Sequence, residues 1–418
     1  MTLLLLNIHQ LHCVANRGEL KKSGFEMADS SMIENAYVYV ENGLIRSVGR
    51  MDHITSTFQE ADEIIDCEDR LVLPGFVDSH THLVFAKGRE TEYVDRIKGL
   101  SYEDIAARGG GILNSAKRLR EMSEEQLLES AVARAWEILS WGTTTVEIKS
   151  GYGLTIEDEL KMLRVAKRIS QWCPIRIRTT FLGAHAVPAE FKGNQTGYVD
   201  LVVNEMLPRV AEEKLADFID VFCDKGYFTV EETARIIQAG AKYGLRAKIH
   251  ANELANSGGV QVGVANNALS VDHLECIGAG EIKALLSCQT IPTVLPGCSF
   301  FLGIPFAPAR QMIDEGLPVC IASDFNPGSS PGGNMQFMMS LACTKMRLLP
   351  EEALAAITLN GAAALGMSHE IGSIEPGKRA DFVITAPMES LSALPYYYCR
   401  DQVETVIING KEKMQWQQ

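Results

Sequence analysis

Hydrophobic and polar positions follow two different patterns along this chain. Near the start, AYVYVENGLIRSVG (36–49) alternates apolar and polar residues on either side of an Asn-Gly pair, the pattern of a β-hairpin. Near the end, DFVITA (381–386) and VETVIING (403–410) again read as strands, separated by a Pro- and Tyr-rich segment. The middle repeats another unit. Apolar or β-branched runs recur as VLPGFVDSH (72–80), TTTVEIKSG (143–151), IRTTFLGAH (177–185), FIDVFCD (218–224), RAKIHANE (246–253), LSVDHLE (269–275), TIPTVLPG (290–297) and VCIASDFNPG (319–328). Between most of them lie helix-like stretches such as 123–142, 155–171 and 229–244, each opening with a Ser or Thr cap and early acidic residues.

Eight such runs separated by helices predict parallel βα units that close into a (β/α)8 barrel, with an open doubly wound sheet as the alternative. The β-rich ends predict a small β-sandwich domain built from both chain termini. The expected division is 1–70 for the first part of that sandwich, 71–370 for the barrel and 371–418 for the second part.

Composition narrows the function. With 418 residues, 46% hydrophobic and 22% charged, the chain can bury a large core. A formal charge of −14 argues against nucleic acid or an anionic membrane as partner, because phosphates need a basic surface, and leaves a small-molecule substrate. MTLLLLNIHQ carries no early Lys or Arg and fails as a signal peptide or membrane span, so the expected location is the cytoplasm. Ten cysteines without a Cys-x-x-Cys pair suit reduced, mostly buried thiols. LPYYYCR (394–400) is an apolar patch of the kind buried against a second copy, and a homodimer is expected.

The chemistry-bearing residues collect where barrel active sites lie, at the C-terminal ends of the strands. His80 and His82 end the first predicted strand, Lys149 the second, His185 the third, His250 and Glu253 the fifth, His273 the sixth and Asp324 the eighth. Two residues apart on a strand, both imidazoles of VDSHTHL point into one space. Unpartnered imidazole and carboxylate at such positions cost several kcal/mol, and a divalent metal is the common compensating partner. Taken singly, His185 and His273 read as structural or as supporting a ligand; His53 and His369 fall outside the pattern and read as surface residues. Gly109, Gly110 and Gly111 lack a following Gly-Lys-Ser/Thr and do not make a phosphate loop.

PGFVDSHTHL followed by late His, His and Asp at strand ends resembles the amidohydrolase superfamily, metal-dependent hydrolases on a barrel with a flanking β-sandwich. HLVFAKGRE (82–90), ARGGGI (107–112), VEIKSGYGL (146–154), FLGAHAVP (181–188), KIHANE (248–253) and SDFNPGSSP (323–331) resemble, within it, the imidazolonepropionase family of histidine degradation. That resemblance implies one divalent ion per chain, zinc or iron, on His80, His82, His250 and Asp324. It implies water-driven opening of the cyclic amide of 4-imidazolone-5-propanoate to N-formimidoyl-L-glutamate. Asp324 and Glu253 are the two candidates for base and proton shuttle, and His273 orients water or stabilises the oxyanion. Arg89 matches the contact to the propionate; Tyr152, His185, Glu253 and Ser329 match groups that touch the ring; Asn326 and Gly328 match product contacts. Lys149, carbamoylated in some superfamily members, is expected to be unmodified and to support its loop. The rival functions are another cyclic-amide hydrolase, a nucleobase deaminase, or a non-catalytic metal-binding scaffold. Arg89 and Tyr152 discriminate among the enzymes, since a flat base has no carboxylate tail.

Overall fold

A computed structural model describes residues 1–55, 58, 60–100 and 110–412. Residues 107–109 of the ARGGGI motif and the last six residues of the C-terminal segment lie outside the described residues.

Two sheets organise the chain. The first takes strands from both ends: β1 (Thr2–His12), β2 (Met32–Glu41), β3 (Leu44–Arg50), β4 (Glu63–Asp66) and β5 (Leu71–Pro74). The second is built by β6 (Phe76–Asp78), β7 (Thr143–Lys149), β8 (Arg176–Ala184), β9 (Phe218–Cys223), β10 (Arg246–Ala251), β11 (Ser270–His273), β12 (Ile291–Val294) and β13 (Cys320–Ile321). After it, β14 (Phe382–Thr385), β15 (Val403–Ile408) and β16 (Lys411–Glu412) return to the first sheet, where β14 pairs antiparallel with β5.

The leucines of the N-terminus form β1, which pairs with β2 along one edge and with β4 and then β5 along the other, so Leu3, Leu4 and Leu5 are buried. No helix among the described residues is long and apolar enough to cross a membrane. The Asn-Gly hairpin forms as its residues require: Asn42 and Gly43 have φ of 52° and 77°, the left-handed pair of a two-residue turn between β2 and β3.

Strands β6 to β13 pair in sequence order, all parallel. The ring closes beyond the strands proper, where Thr81 bridges Phe325, His82 N–H donates to the Phe325 carbonyl at 2.9 Å, and Asp324 N–H donates to the His80 carbonyl at 3.0 Å. Helices cover the outside. Glu124–Ser140 and Val230–Ala241 open with full capping boxes at Ser123 and Thr229, and Thr155 caps Ile156–Arg168.

The run VLPGFVDSH serves both sheets, since its first half is β5 and its second β6. Gly75 is the junction, and a Cβ there would stand 2.3 Å from Thr144 Oγ1 and 2.5 Å from Thr144 Cγ2. Gly75→Ala should therefore cost about 2 kcal/mol or more. Combining it with Thr144→Ala, which removes both of those atoms, should recover part of the loss in a denaturant double-mutant cycle. Strictly additive costs would show that the clash is not the cause.

Candidate active site

The segments that close the barrel carry the site. His80 and His82, two apart on the extended ribbon after β6, project together; Asp324 follows β13; His250 sits at the end of β10. His80 Nε2 lies 3.6 Å and His82 Nε2 3.7 Å from Asp324 Oδ1, and His82 Nε2 lies 3.4 Å from His250 Nε2. Four ligands held about 2.1 Å from one zinc-sized ion stand about 3.4 Å apart, so these three separations match edges of such a polyhedron. His80 Nε2 and Asp324 Oδ1 are buried without a hydrogen-bond partner, an arrangement costly unless a cation joins them. The other ring nitrogens of two of them are occupied: His80 Nδ1 faces Asp272 Oδ2 at 2.7 Å and His250 Nδ1 faces Asp220 Oδ2 at 3.0 Å, whereas His82 Nδ1 is buried without a hydrogen-bond partner. Each carboxylate fixes the tautomer that leaves Nε2 as an electron-pair donor. The four side chains fit a divalent cation.

Below this cluster lies a fully buried ionic layer. Lys149 Nζ is 2.7 Å from Glu147 and 2.8 Å from Asp220; Lys248 Nζ is 3.0 Å from Glu147 and 2.9 Å from the Ser79 carbonyl. Burial works against the Lys149 charge, but Asp220, Glu147 and Asp272 outweigh it and hold the ammonium above its ordinary range. Lys149 thus braces the floor of the site, not its loop as its sequence position suggested. The loop is held by Glu159, whose carboxylate accepts from the N–H groups of Gly151 (3.0 Å), Gly153 (2.8 Å) and Leu154 (2.8 Å).

Every residue singled out from the sequence as catalytic, substrate-binding or metal-binding lines one cavity, except His80, which is buried behind it. Arg89 lies across Gly328, where an added Cβ would fall 1.1 Å from its Nη2, so only glycine lets the guanidinium rest there. The Asn326 side chain is spent on its own loop: Oδ1 accepts from the N–H groups of Gly328 and Ser329 at 2.8 Å each, and Nδ2 donates to Ser329 Oγ at 2.8 Å. Ser329 Oγ in turn donates to Asp324 Oδ2 at 3.2 Å. His185 shares a hydrogen bond between Nδ1 and the Gly151 carbonyl at 3.0 Å, and burial pushes its pKa down to about 3, so the ring is neutral. Its face stacks on His82, with ring centres 5.1 Å apart, and Tyr152 tilts beside both.

Glu253 stands against the cluster on the loop after β10. Asp224 positions that loop, accepting from Glu253 N–H at 2.7 Å and Leu254 N–H at 2.9 Å. Burial raises the Glu253 carboxyl to about 7. His273 Nδ1 lies 3.7 Å from Glu253 Oε2; burial opposes its protonation, but Glu253, Cys298 and Glu275 hold the imidazolium well above its usual range. His273 (φ 86°) and Asp324 (φ 54°) both have left-handed backbones, a conformation costing about 1–3 kcal/mol each that tends to cluster at functional sites.

Sequence reasoning missed the supporting carboxylates Asp220, Asp272, Asp224 and Glu159. Asp220 and Asp272 did leave a signal, as single acids inside the otherwise apolar strands FIDVFC and SVDH; Asp224 and Glu159 looked like ordinary loop and helix-start acids. His53 and His369 are exposed, as expected, and all ten cysteines are free.

Comparison with known proteins agrees with this geometry. The model of the Amidohydrolase family matches residues 71–413. The imidazolonepropionase of Flavobacterium johnsoniae is 51% identical over 411 residues, 98% of this chain and 100% of that protein. That of Thermoanaerobacter pseudethanolicus is 41% identical over 98% of this chain and 97% of its own length. Among solved structures, the atrazine chlorohydrolase of Arthrobacter aurescens, complexed with zinc, superposes with a TM-score of 0.72 at 17% identity, covering 98% of this chain and 94% of that one. The chain belongs to the amidohydrolase family and, within it, to the imidazolonepropionases.

Proposed function

We infer that this chain hydrolyses the ring amide C–N bond of 4-imidazolone-5-propanoate to N-formimidoyl-L-glutamate. The observation that carries the inference is one cavity lined by His82, His250 and Asp324, with His80 behind them, and also by the carboxyl of Glu253 and the guanidinium of Arg89. The identity of its relatives supports the same reaction.

His80, His82, His250 and Asp324 hold the divalent ion, zinc or iron. When bound, such an ion brings a water's pKa to about 7 and polarises the amide carbonyl. Arg89 takes the propionate in its planar fork and so fixes which ring carbon faces the cluster. Neutral His185, Tyr152 and Ser329 hold the ring. Glu253 is the proton carrier in preference to Asp324: Asp324 points Oδ1 into the cluster and accepts from Ser329 with Oδ2, whereas Glu253 has a carboxyl raised to about 7 by burial, suited to accept a proton and return it near neutrality. It accepts the proton of the attacking water and delivers it to the departing ring nitrogen. The His273 imidazolium donates to the developing oxyanion. A nucleobase deaminase would have no use for Arg89. The protein is a cytoplasmic homodimer in this reading, its free cysteines and the exposed Tyr396, Tyr397 and Tyr398 supporting both points.

Glu253→Gln should lower kcat by roughly 10²-fold or more with little change in KM, while Arg89→Ala should chiefly raise KM. A base must be ionised to act, so for the unsubstituted enzyme kcat/KM should rise with pH along a limb centred at about 7. That limb should vanish in Glu253→Gln; its persistence would assign it elsewhere. Metal analysis should find one equivalent per chain, with Lys149 unmodified by mass spectrometry. Asp272→Asn should weaken metal retention against a chelator by about 10–100-fold. Two equivalents together with a carbamate on Lys149 would overturn the single-ion arrangement. Sedimentation should show a dimer that Tyr396→Ser/Tyr398→Ser weakens, and a monomer at micromolar concentration would exclude it.

A further inference from the structure

Beside the cluster of His80, His82, His250 and Asp324 stands a second group of metal-ligating atoms, one of which, Cys298, has no part in the reaction. Cys298, His273 and Glu253 each offer a donor atom, and the three lie within 4.8 Å of one another. Cys298 Sγ is 3.9 Å from Glu253 Oε1, and His273 Nδ1 is 3.7 Å from Glu253 Oε2 and 3.7 Å from Glu275 Oε2. Thiolate, imidazole and carboxylate about 2.0–2.3 Å from a zinc-class ion stand about 3.4–3.8 Å apart, so only small movements bring these donors into a shell. His273 Nδ1 and Glu275 Oε2 are both buried without a hydrogen-bond partner and lie 3.7 Å apart. A thiol in the set selects zinc-class and softer ions over magnesium or calcium.

We propose that Cys298, His273 and Glu253, with Glu275 beside them, form a second and inhibitory site for a zinc-class divalent ion, adjacent to the cluster of His80, His82, His250 and Asp324. Its inhibitory character rests on the function proposed above, because the ion would occupy Glu253 and His273, the proton carrier and the oxyanion donor. The ion enters through the cavity, which Glu253 and His273 line, and meets Cys298 behind them.

The test uses the holoenzyme carrying its first equivalent of metal. Cobalt(II) added in excess should bind as a second equivalent with a thiolate-to-cobalt charge-transfer band, and zinc added in excess should inhibit hydrolysis. Cys298→Ala should lose the band and, measured against its own turnover without added zinc, need at least tenfold more zinc for half inhibition; Glu275→Gln should show a smaller shift in the same direction. A band with no change in turnover would confirm the binding site and overturn only its inhibitory role. Absence of the band, or a Cys298→Ala enzyme as zinc-sensitive as the parent, would overturn the site itself. The cobalt spectrum does not depend on turnover, so failure of the proposed hydrolysis would be seen separately.

Discussion

The floor of the barrel is an electrostatic problem that needs a cation. Lys149 and Lys248 face Glu147, Asp220 and Asp272 in a layer closed to solvent, and Asp324 stands directly above. Two ammonium groups against four carboxylates leave two negative charges, which a divalent ion cancels. Isolated charges in such a place cost several kcal/mol apiece, and paired ones are tolerated only with good geometry and filled hydrogen bonds. The histidines carry this balance upward: Asp272 and Asp220 grip Nδ1 of His80 and His250, and thereby turn Nε2 of each toward one point. Removing any member leaves the others uncompensated, so the network is held by mutual dependence.

The same residues do mechanical work. The ring of parallel strands meets itself through the backbone of His80, Thr81 and His82 against Asp324 and Phe325, so three of the four donor side chains ride on the closing seam. A barrel that failed to close would separate His80 and His82 from Asp324. The left-handed backbones of Asp324 and His273 lie at the site, and the Asp324 N–H is tied to the His80 carbonyl, an arrangement that holds a donor atom in place before any ligand arrives.

Above this floor stand the walls of the cavity. Solved structures of low identity share the architecture, and such likeness speaks to fold alone. In this cavity Arg89 lies on the bare backbone of Gly328, on a loop folded by Asn326 and tied through Ser329 to Asp324. Gly328, on which Arg89 rests, and Asp324, which joins the histidine cluster, are thus two ends of one loop.

Local patterns in the sequence determined the elements and the first guesses at chemistry. Asn42-Gly43 dictates its turn, Ser123, Thr155 and Thr229 start their helices, and the spacing of His80 and His82 puts both rings on one side of an extended segment. These depend on backbone sterics and capping within a few residues, so they can be read without a fold. Only the tertiary structure decided that Gly75 divides one apolar run between two sheets, that Lys149 braces the floor while Glu159 holds its loop, and that Cys298 faces Glu253 across 45 residues of chain. Each depends on which strands lie side by side once the barrel closes, and the energy of a buried charge is set by neighbours that sequence distance does not reveal.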